Sequence, residues 1–227
     1  MKIELLQPVY GSEENAVRSL KAFSDSEFKD LDVSLEISVQ NKRFAVSVSG
    51  EDEELCVNFL YEAFGKPLSS EDVVPETDYR GFIRSIQADQ LIVNAGFDCA
   101  VPLPALTPLG IGTVGQIAAR FGMIPYLPVS FQIQPDGTAA FTKQQIDSWW
   151  SWKKSSTDRI FINGATRSQI KAALQRKGHG RDVYGVEKLG LTECVVICKE
   201  KTDGPGIVSS IGKILPSQMG VLIGEKK

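Results

Sequence analysis

Apolar residues recur at strand and helix spacings along the whole chain and divide it into three stretches, each mixing both periods. In the first, Lys2–Leu6 is a short apolar strand. Ala16, Leu20 and Phe23 then share one helical face behind Ser12, a residue suited to N-capping, with Glu13 and Glu14 in the first turn. Val33, Leu35, Ile37 and Val39 alternate, as do Phe44, Val46 and Val48, and Asn41-Lys42 between them predicts a hairpin turn. Ser49 is expected to cap a second helix with Leu55, Phe59, Leu60 and Ala63 inward, closed by Gly65. The element order is β-α-β-β-α.

Residues 66–78 (KPLSSEDVVPETD) read as a linker, rich in proline, serine and acids. Beyond it, Tyr79–Ile86 and Leu91–Ala95 are strands and Ala100–Leu109 is extended and proline-rich. Thr113–Phe121 is a short helix closed by Gly122, and Val129, Phe131 and Ile133 alternate into a Pro135-Asp136-Gly137 turn before a strand over Thr138–Phe141. Thr142 and Gln145 form a T-x-x-Q capping box, and Ile146, Trp149 and Trp150 follow on one helical face, which marks the two tryptophans as packing residues at a domain hinge.

The last stretch runs from the strand Arg159–Asn163 through a helix capped by Thr166 and Gln169, with Ile170, Ala173 and Leu174 inward, to a break at Gly178-His179-Gly180. Asp182–Val186 and Glu193–Lys199 pair across Leu189-Gly190-Leu191, Asp203-Gly-Pro-Gly starts a final helix, and Gly220–Gly224 is the last strand. The whole is therefore α+β. It predicts a ferredoxin-like domain at residues 1–68, an OB-like five-stranded barrel at 79–147, and a second ferredoxin-like domain, a complete split βαβ, at 148–227. The phrase YRGFIRSIQADQLIVNAGFDCAVPL resembles the opening of RNA-binding OB barrels of the ribosomal type, in which a glycine bends the first strand and another ends the second.

Composition narrows the partners. Hydrophobic residues at 42% and charged ones at 23% suit a globular chain, and the apolar runs are too interrupted to span a membrane. The N-terminus, with Glu4 and no apolar core, lacks a secretory signal, so a cytoplasmic setting is expected, with Cys56, Cys99, Cys194 and Cys198 buried and reduced. The net charge of −3 hides a gradient: −10 over residues 1–78, zero over 79–147 and +7 over 148–227. An acidic first domain suits a basic protein partner, and a basic last domain suits a polyanion.

Trp149–Asp182 holds every tryptophan, the single histidine and the densest positive charge. Aromatics interleaved with Lys and Arg beside a glycine-rich loop suit nucleic-acid bases and phosphates. The candidate contacts are Trp152, turned away from the Ile146 face, with Lys153 and Lys154, then Arg167 and Lys171 on one helical stripe, and Arg176, Lys177, His179 and Arg181 around the GHGR loop. A solvated, dipole-compensating helix end is the alternative reading of those cations. His179 lies between glycines with no nucleophile or acid at a motif spacing, which leaves it a surface residue and not a catalytic base.

Other motifs weigh less. Gly110-Ile-Gly-Thr-Val-Gly115 has the letters of a dinucleotide fingerprint, but its lead-in PLPALTPL cannot be a central parallel strand. Asp203, Gly204 and Gly206 resemble the turn that opens ACT-type regulatory modules, which implies an amino-acid ligand, although here the turn follows the third strand. No metal cluster, cofactor fingerprint or catalytic motif stands out, and the balance leans against an enzyme. Taken with LPVSFQI, ATRSQIKAALQRKGHGRDV, VEKLGL and CKEKTDGPGIVSSIGKIL, the chain resembles an archaeal family of uncharacterised proteins, a domain of unknown function, which implies no activity. The expected function is non-enzymatic binding of RNA or a ribonucleoprotein in translation or RNA processing. A protein-interaction or scaffolding module is the alternative, followed by a small-molecule sensor.

Overall fold

A computed structural model describes residues 1–225. The first unit runs β1 (Lys2–Pro8), α1 (Glu13–Glu27), β2 (Ser34–Gln40), β3 (Arg43–Ser49) and α2 (Glu53–Phe64). Ser12 accepts a hydrogen bond from the Asn15 N–H and caps α1. Asn41 and Lys42 both take positive φ (51° and 59°), the backbone that a two-residue hairpin needs to follow the strand twist. The sheet has three strands in the order β1-β3-β2, and both helices pack on one core with Leu5, Leu20, Val46 and Leu60.

Two details of that unit differ from the expectation. Asp52, not Ser49, is the N-cap of α2, and Ser49 completes β3. The inward face is Cys56, Val57, Leu60 and Phe64, so Leu55, Phe59 and Ala63 remain exposed. The helix is apolar around most of its circumference, so spacing alone does not select the buried side.

The expected linker is strapped down. It carries a 3₁₀ turn at Ser70–Asp72, and the Leu68 N–H donates to the Ala95 carbonyl at 2.6 Å. The central unit follows as β4 (Asp78–Ile86), β5 (Gln90–Asn94), β6 (Asp98–Pro102), a 3₁₀ segment at Leu103–Leu109, α3 (Val114–Arg120), β7 (Pro128–Ile133) and β8 (Ala139–Phe141). The sheet order is β6-β5-β4-β7-β8, and its edge strands β6 and β8 are not hydrogen-bonded to each other. The expected closed barrel is therefore an open sheet. Pro102 ends β6, β8 is only three residues long, and the 3₁₀ segment brings Leu106 and Leu109, both fully buried, into the core. That segment also replaces the second half of the extended stretch read at Ala100–Leu109.

α4 (Lys143–Lys154) joins this unit to the last. Thr142 caps it, but Gln145 Oε1 accepts from the Ser130 N–H (3.0 Å) instead of closing the capping box, which ties the helix to β7. Trp149 is 1% exposed and meets Phe141 edge-on at 4.8 Å, and Trp150 donates its indole N–H to the Pro108 carbonyl. Both are packing residues.

The last unit is β9 (Arg159–Asn163), α5 (Arg167–Arg176), β10 (Val183–Lys188), β11 (Glu193–Cys198), α6 (Gly204–Ile211) and β12 (Gln218–Leu222). Its four strands lie in the order β10-β11-β9-β12, every neighbour antiparallel. One face, with Ile160, Ile162, Cys194 and Val196, packs on Ile170, Leu174, Ile207 and Ile211 of the helices. The opposite face sends Phe161, Val195 and Leu222 into the central unit's core. The protein is thus α+β, with three antiparallel sheets and no closed barrel.

The join is close. A Cβ on Gly220 would stand 2.3 Å from the Gly122 carbonyl oxygen, whereas one on Gly185 meets nothing within 4 Å. Because a backbone carbonyl cannot retreat as a side-chain end can, Gly220→Ala is expected to destabilise the chain by about 1–3 kcal/mol, and Gly185→Ala by less than about 0.5 kcal/mol. Urea unfolding measures both, and equal stabilities would mean that the two backbones are not held in contact.

Candidate functional site

The basic residues singled out by the sequence separate into a packed set and a free set. On α4, Trp152 is half-buried: its ring lies 5.9 Å from Phe161 of β9, with the Arg159 guanidinium 5.4 Å from its centroid. It is a tethered ring and not the fully exposed platform that the helical spacing suggested. Lys153 donates to the Ile223 carbonyl at 2.8 Å and holds the end of β12 against α4. Lys154 stays exposed, 5.8 Å from the Trp150 ring.

On α5 the picture is different. A reciprocal capping box between Thr166 and Gln169 starts the helix, and burial of Ile170, Ala173 and Leu174 turns Arg167, Lys171 and Arg176 to solvent. Gly178, with φ 82°, breaks it into a 3₁₀ turn at His179–Arg181 that leaves Arg181 exposed and Lys177 half-buried. Among the described residues Arg167, Lys171, Arg176, Lys177 and Arg181 form no ion pair with an acid. Asp182, next to Arg181 in the chain, is engaged by His179, whose Nδ1 lies 2.8 Å from its carboxylate. The histidine is a strut of the turn.

Tyr184 was not legible as part of this surface. It stands 63% exposed on β10, an edge strand, with Lys199 Nζ 6.0 Å from its ring centroid. Its only local signal is an aromatic in a strand next to the GHGR loop.

The two loop motifs are filled by the chain itself. Arg120 reaches back from α3 to donate to the carbonyls of Leu109 (3.3 Å) and Ile111 (3.0 Å), lying across the Gly110–Gly112 loop. In the other turn, the Gly204 N–H donates to Asp158 Oδ2 at 3.0 Å, and Asp158 Oδ1 accepts from the Gly224 N–H. Asp203 is exposed and Gly206 packs on its carboxylate. Asp158 thus uses that turn to fasten β12 to α6.

The most heavily buried charge lies where the three units meet. Glu193, wholly buried at the start of β11, accepts from Gln7 Nε2 (3.2 and 3.1 Å), the Tyr10 hydroxyl, and the Thr192 hydroxyl (2.9 Å) and N–H (3.2 Å). Tyr10 in turn stacks on Tyr126 of the central unit at 4.0 Å and 3°. Burial pushes the Glu193 carboxyl up against the pull of those four donors, and the Tyr10 phenol is pushed far above its usual range by burial and the neighbouring charge. Tyr10 therefore remains a donor. No sequence signal connects Gln7 and Tyr10 to a glutamate some 186 residues on.

The four cysteines are buried, and burial raises Cys56 and Cys99 and carries Cys194 up to about 11, which disfavours thiolate chemistry. Among the described residues no group of three His, Cys, Asp or Glu side chains is placed to hold a metal ion, and no helix is long and apolar enough to cross a membrane.

Comparison with family models finds three consecutive matches: the DUF2110 N-terminal domain over residues 2–70, the DUF2110 central domain over 73–153 and the DUF2110 C-terminal domain over 157–223. No curated protein matches the chain.

Because the folded carboxyl of Glu193 is raised, the folded state binds a proton that the unfolded state has released. Its contribution to stability is fully present below the ordinary glutamate value of about 4.3 and is lost as pH rises through the folded value. Denaturant midpoints of the parent chain are therefore expected to fall over that window more steeply than those of Glu193→Gln, which cannot ionise. Parallel pH profiles would refute the assignment.

Proposed function

Because the chain belongs to the DUF2110 family, known by its domains and not by an activity, we propose a function from its own residues: non-enzymatic binding of RNA on the outer face of α5 and the 3₁₀ turn after it. The observation that carries this reading is the exposure of Arg167, Lys171, Arg176 and Arg181 without an acidic partner among the described residues, beside the exposed Tyr184 ring. Unneutralised cations around an aromatic suit a phosphate backbone and a stacked base.

The β-α-β-β-α-β order of the last unit supports a ferredoxin-like reading, and the central order, with α3 between its third and fourth strands, supports an OB-like sheet left open at one seam. In the last unit the sheet face opposite the helices is covered by the central unit. The helical side, where the free cations are, stays open to RNA.

A second reading has one observation of its own. Leu55 and Phe59 are exposed on α2 between the acids Glu51, Glu54 and Glu62. That surface suits a basic protein partner with apolar side chains, and it is compatible with RNA on the opposite charge pole.

Fluorescence anisotropy with single-stranded RNA between 50 and 200 mM salt tests the proposal, those conditions spanning roughly a 10³–10⁵-fold loss for a protein with 6–10 phosphate contacts. Affinity is expected to fall steeply with salt. Lys171→Glu combined with Arg176→Glu and Arg181→Glu is expected to weaken it at least about tenfold and to flatten the slope by about one for each phosphate no longer neutralised. No binding at 50 mM salt, or an unchanged triple variant, would sink the reading.

A further inference from the structure

A cleft of about 310 Å³ lies between β4, β7 and α4 where the last sheet closes over them, with Arg80, Pro128, Gln144, Gln145, Trp152 and Leu189 on its walls. It continues along α4 as an open groove past Ser148 to Lys143, Asp147 and Ser151. Ligand sites favour such domain junctions, and this volume stands at the low end of the roughly 300–1,000 Å³ typical of them. It suits a single small planar unit.

The hydrogen bonds already made leave donors facing the cleft. Gln145 Oε1 is taken by the Ser130 N–H, Thr142 Oγ1 by the Gln145 N–H, and the Ser148 hydroxyl donates to the Gln144 carbonyl. The Arg80 guanidinium, the amide nitrogens of Gln144 and Gln145, and the Trp152 indole N–H make no hydrogen bond among the described residues. Arg80 is exposed and has no ion pair among them. The one carboxylate, Asp147, stands in the outer groove and not among the cleft's own walls. An aromatic wall, held in orientation by Phe161 and Arg159, is thus surrounded by donors and a cation. That combination selects a flat ring bearing carbonyl or ring-nitrogen acceptors, attached to an anion.

The cleft opens beside one exposed cation of the last unit. Leu189 on its wall follows Lys188, exposed at the end of β10.

We propose that this cleft holds one nucleotide of a bound single-stranded RNA, its base against Trp152 and its phosphate at Arg80. The assignment rests on the RNA-binding reading, and its test separates the two. Equilibrium dialysis of adenosine and uridine 5′-monophosphate, and anisotropy of a short single-stranded RNA, would be run on the full chain, on Arg80→Ala, Gln144→Ala and Trp152→Leu, and on the Lys171→Glu, Arg176→Glu, Arg181→Glu triple variant.

Mononucleotide affinity is expected to fall about tenfold or more in Arg80→Ala and Trp152→Leu and to be unchanged in the triple variant, which weakens only the longer RNA. Arg80 and Gln144 are exposed side chains, so their variants report even where Trp152→Leu fails to fold. If the triple variant loses RNA while Arg80→Ala and Gln144→Ala bind it and the mononucleotides as the parent does, the cleft assignment is overturned and the RNA reading stands. If the parent binds mononucleotides but no RNA at low salt, the RNA reading falls and takes the strand-borne ligand with it.

Discussion

The burial of β9 on both faces is the constraint from which the rest of the arrangement follows. Successive side chains of a strand point to opposite sides, so Ile160 and Ile162 meet the helices while Arg159, Phe161 and Asn163 meet the central unit. Each of those three is used: Arg159 over Trp152, Phe161 in the core, and Asn163 Nδ2 donating to the Pro125 carbonyl at 2.7 Å. With β11 and β12 contributing Val195 and Leu222 to the same face, the last sheet becomes a shared wall. α4 can then run only along the seam, and α5 can only face outward. Location of the free cations is thus a consequence of where the apolar surface went.

The two joins in the molecule differ in kind. Central and last units meet through apolar side chains and backbones as close as Gly122 and Gly220. The first unit is instead attached by polar contacts: Arg43 donates to Asn94 Oδ1 and the Gly96 carbonyl, Gln7 and Tyr10 donate to Glu193, and Tyr10 stacks on Tyr126. A buried carboxylate with four donors specifies one docking geometry, because any other leaves the charge unpaired. The acidic pole is held in register chiefly by these polar contacts, with Leu191 of the β10–β11 hairpin packed on its core.

Local rules were enough for most of the architecture. The Asn41-Lys42 turn, the Ser12, Thr142 and Thr166 caps and the apolar alternation of β2, β3 and β7 all stand in the structure where the chain's own chemistry put them. What failed depended on distant partners. α2 is apolar on too many sides for its spacing to choose Cys56 and Val57 over Leu55 and Phe59. The barrel stayed open because Leu106 and Leu109 came from a segment that reads as extended. Trp152 was legible as turned from Ile146, but only tertiary packing reveals Phe161 and Arg159 beside it. Of the candidate surface, the α5 cations were readable from composition, whereas Arg80 and Leu189 share a cleft with Trp152 only because the central and last units close on α4.

The Glu193 contacts also constrain the order in which the protein can be made. Gln7 and Tyr10 leave the ribosome with the first strand, yet their acceptor is synthesised some 186 residues later. Glu193 follows the end of α2 at Phe64 by 129 residues, so at translation rates of about 5–20 residues per second the first unit is complete roughly 6–26 s before that acceptor exists. A sheet of three strands with its own core of Leu5, Leu20, Phe44 and Leu60 suits that interval. Strand β11 then adds the last fastenings, and a nascent chain that stops short of it would hold its first unit by the Arg43 and Tyr126 contacts without the Glu193 lock.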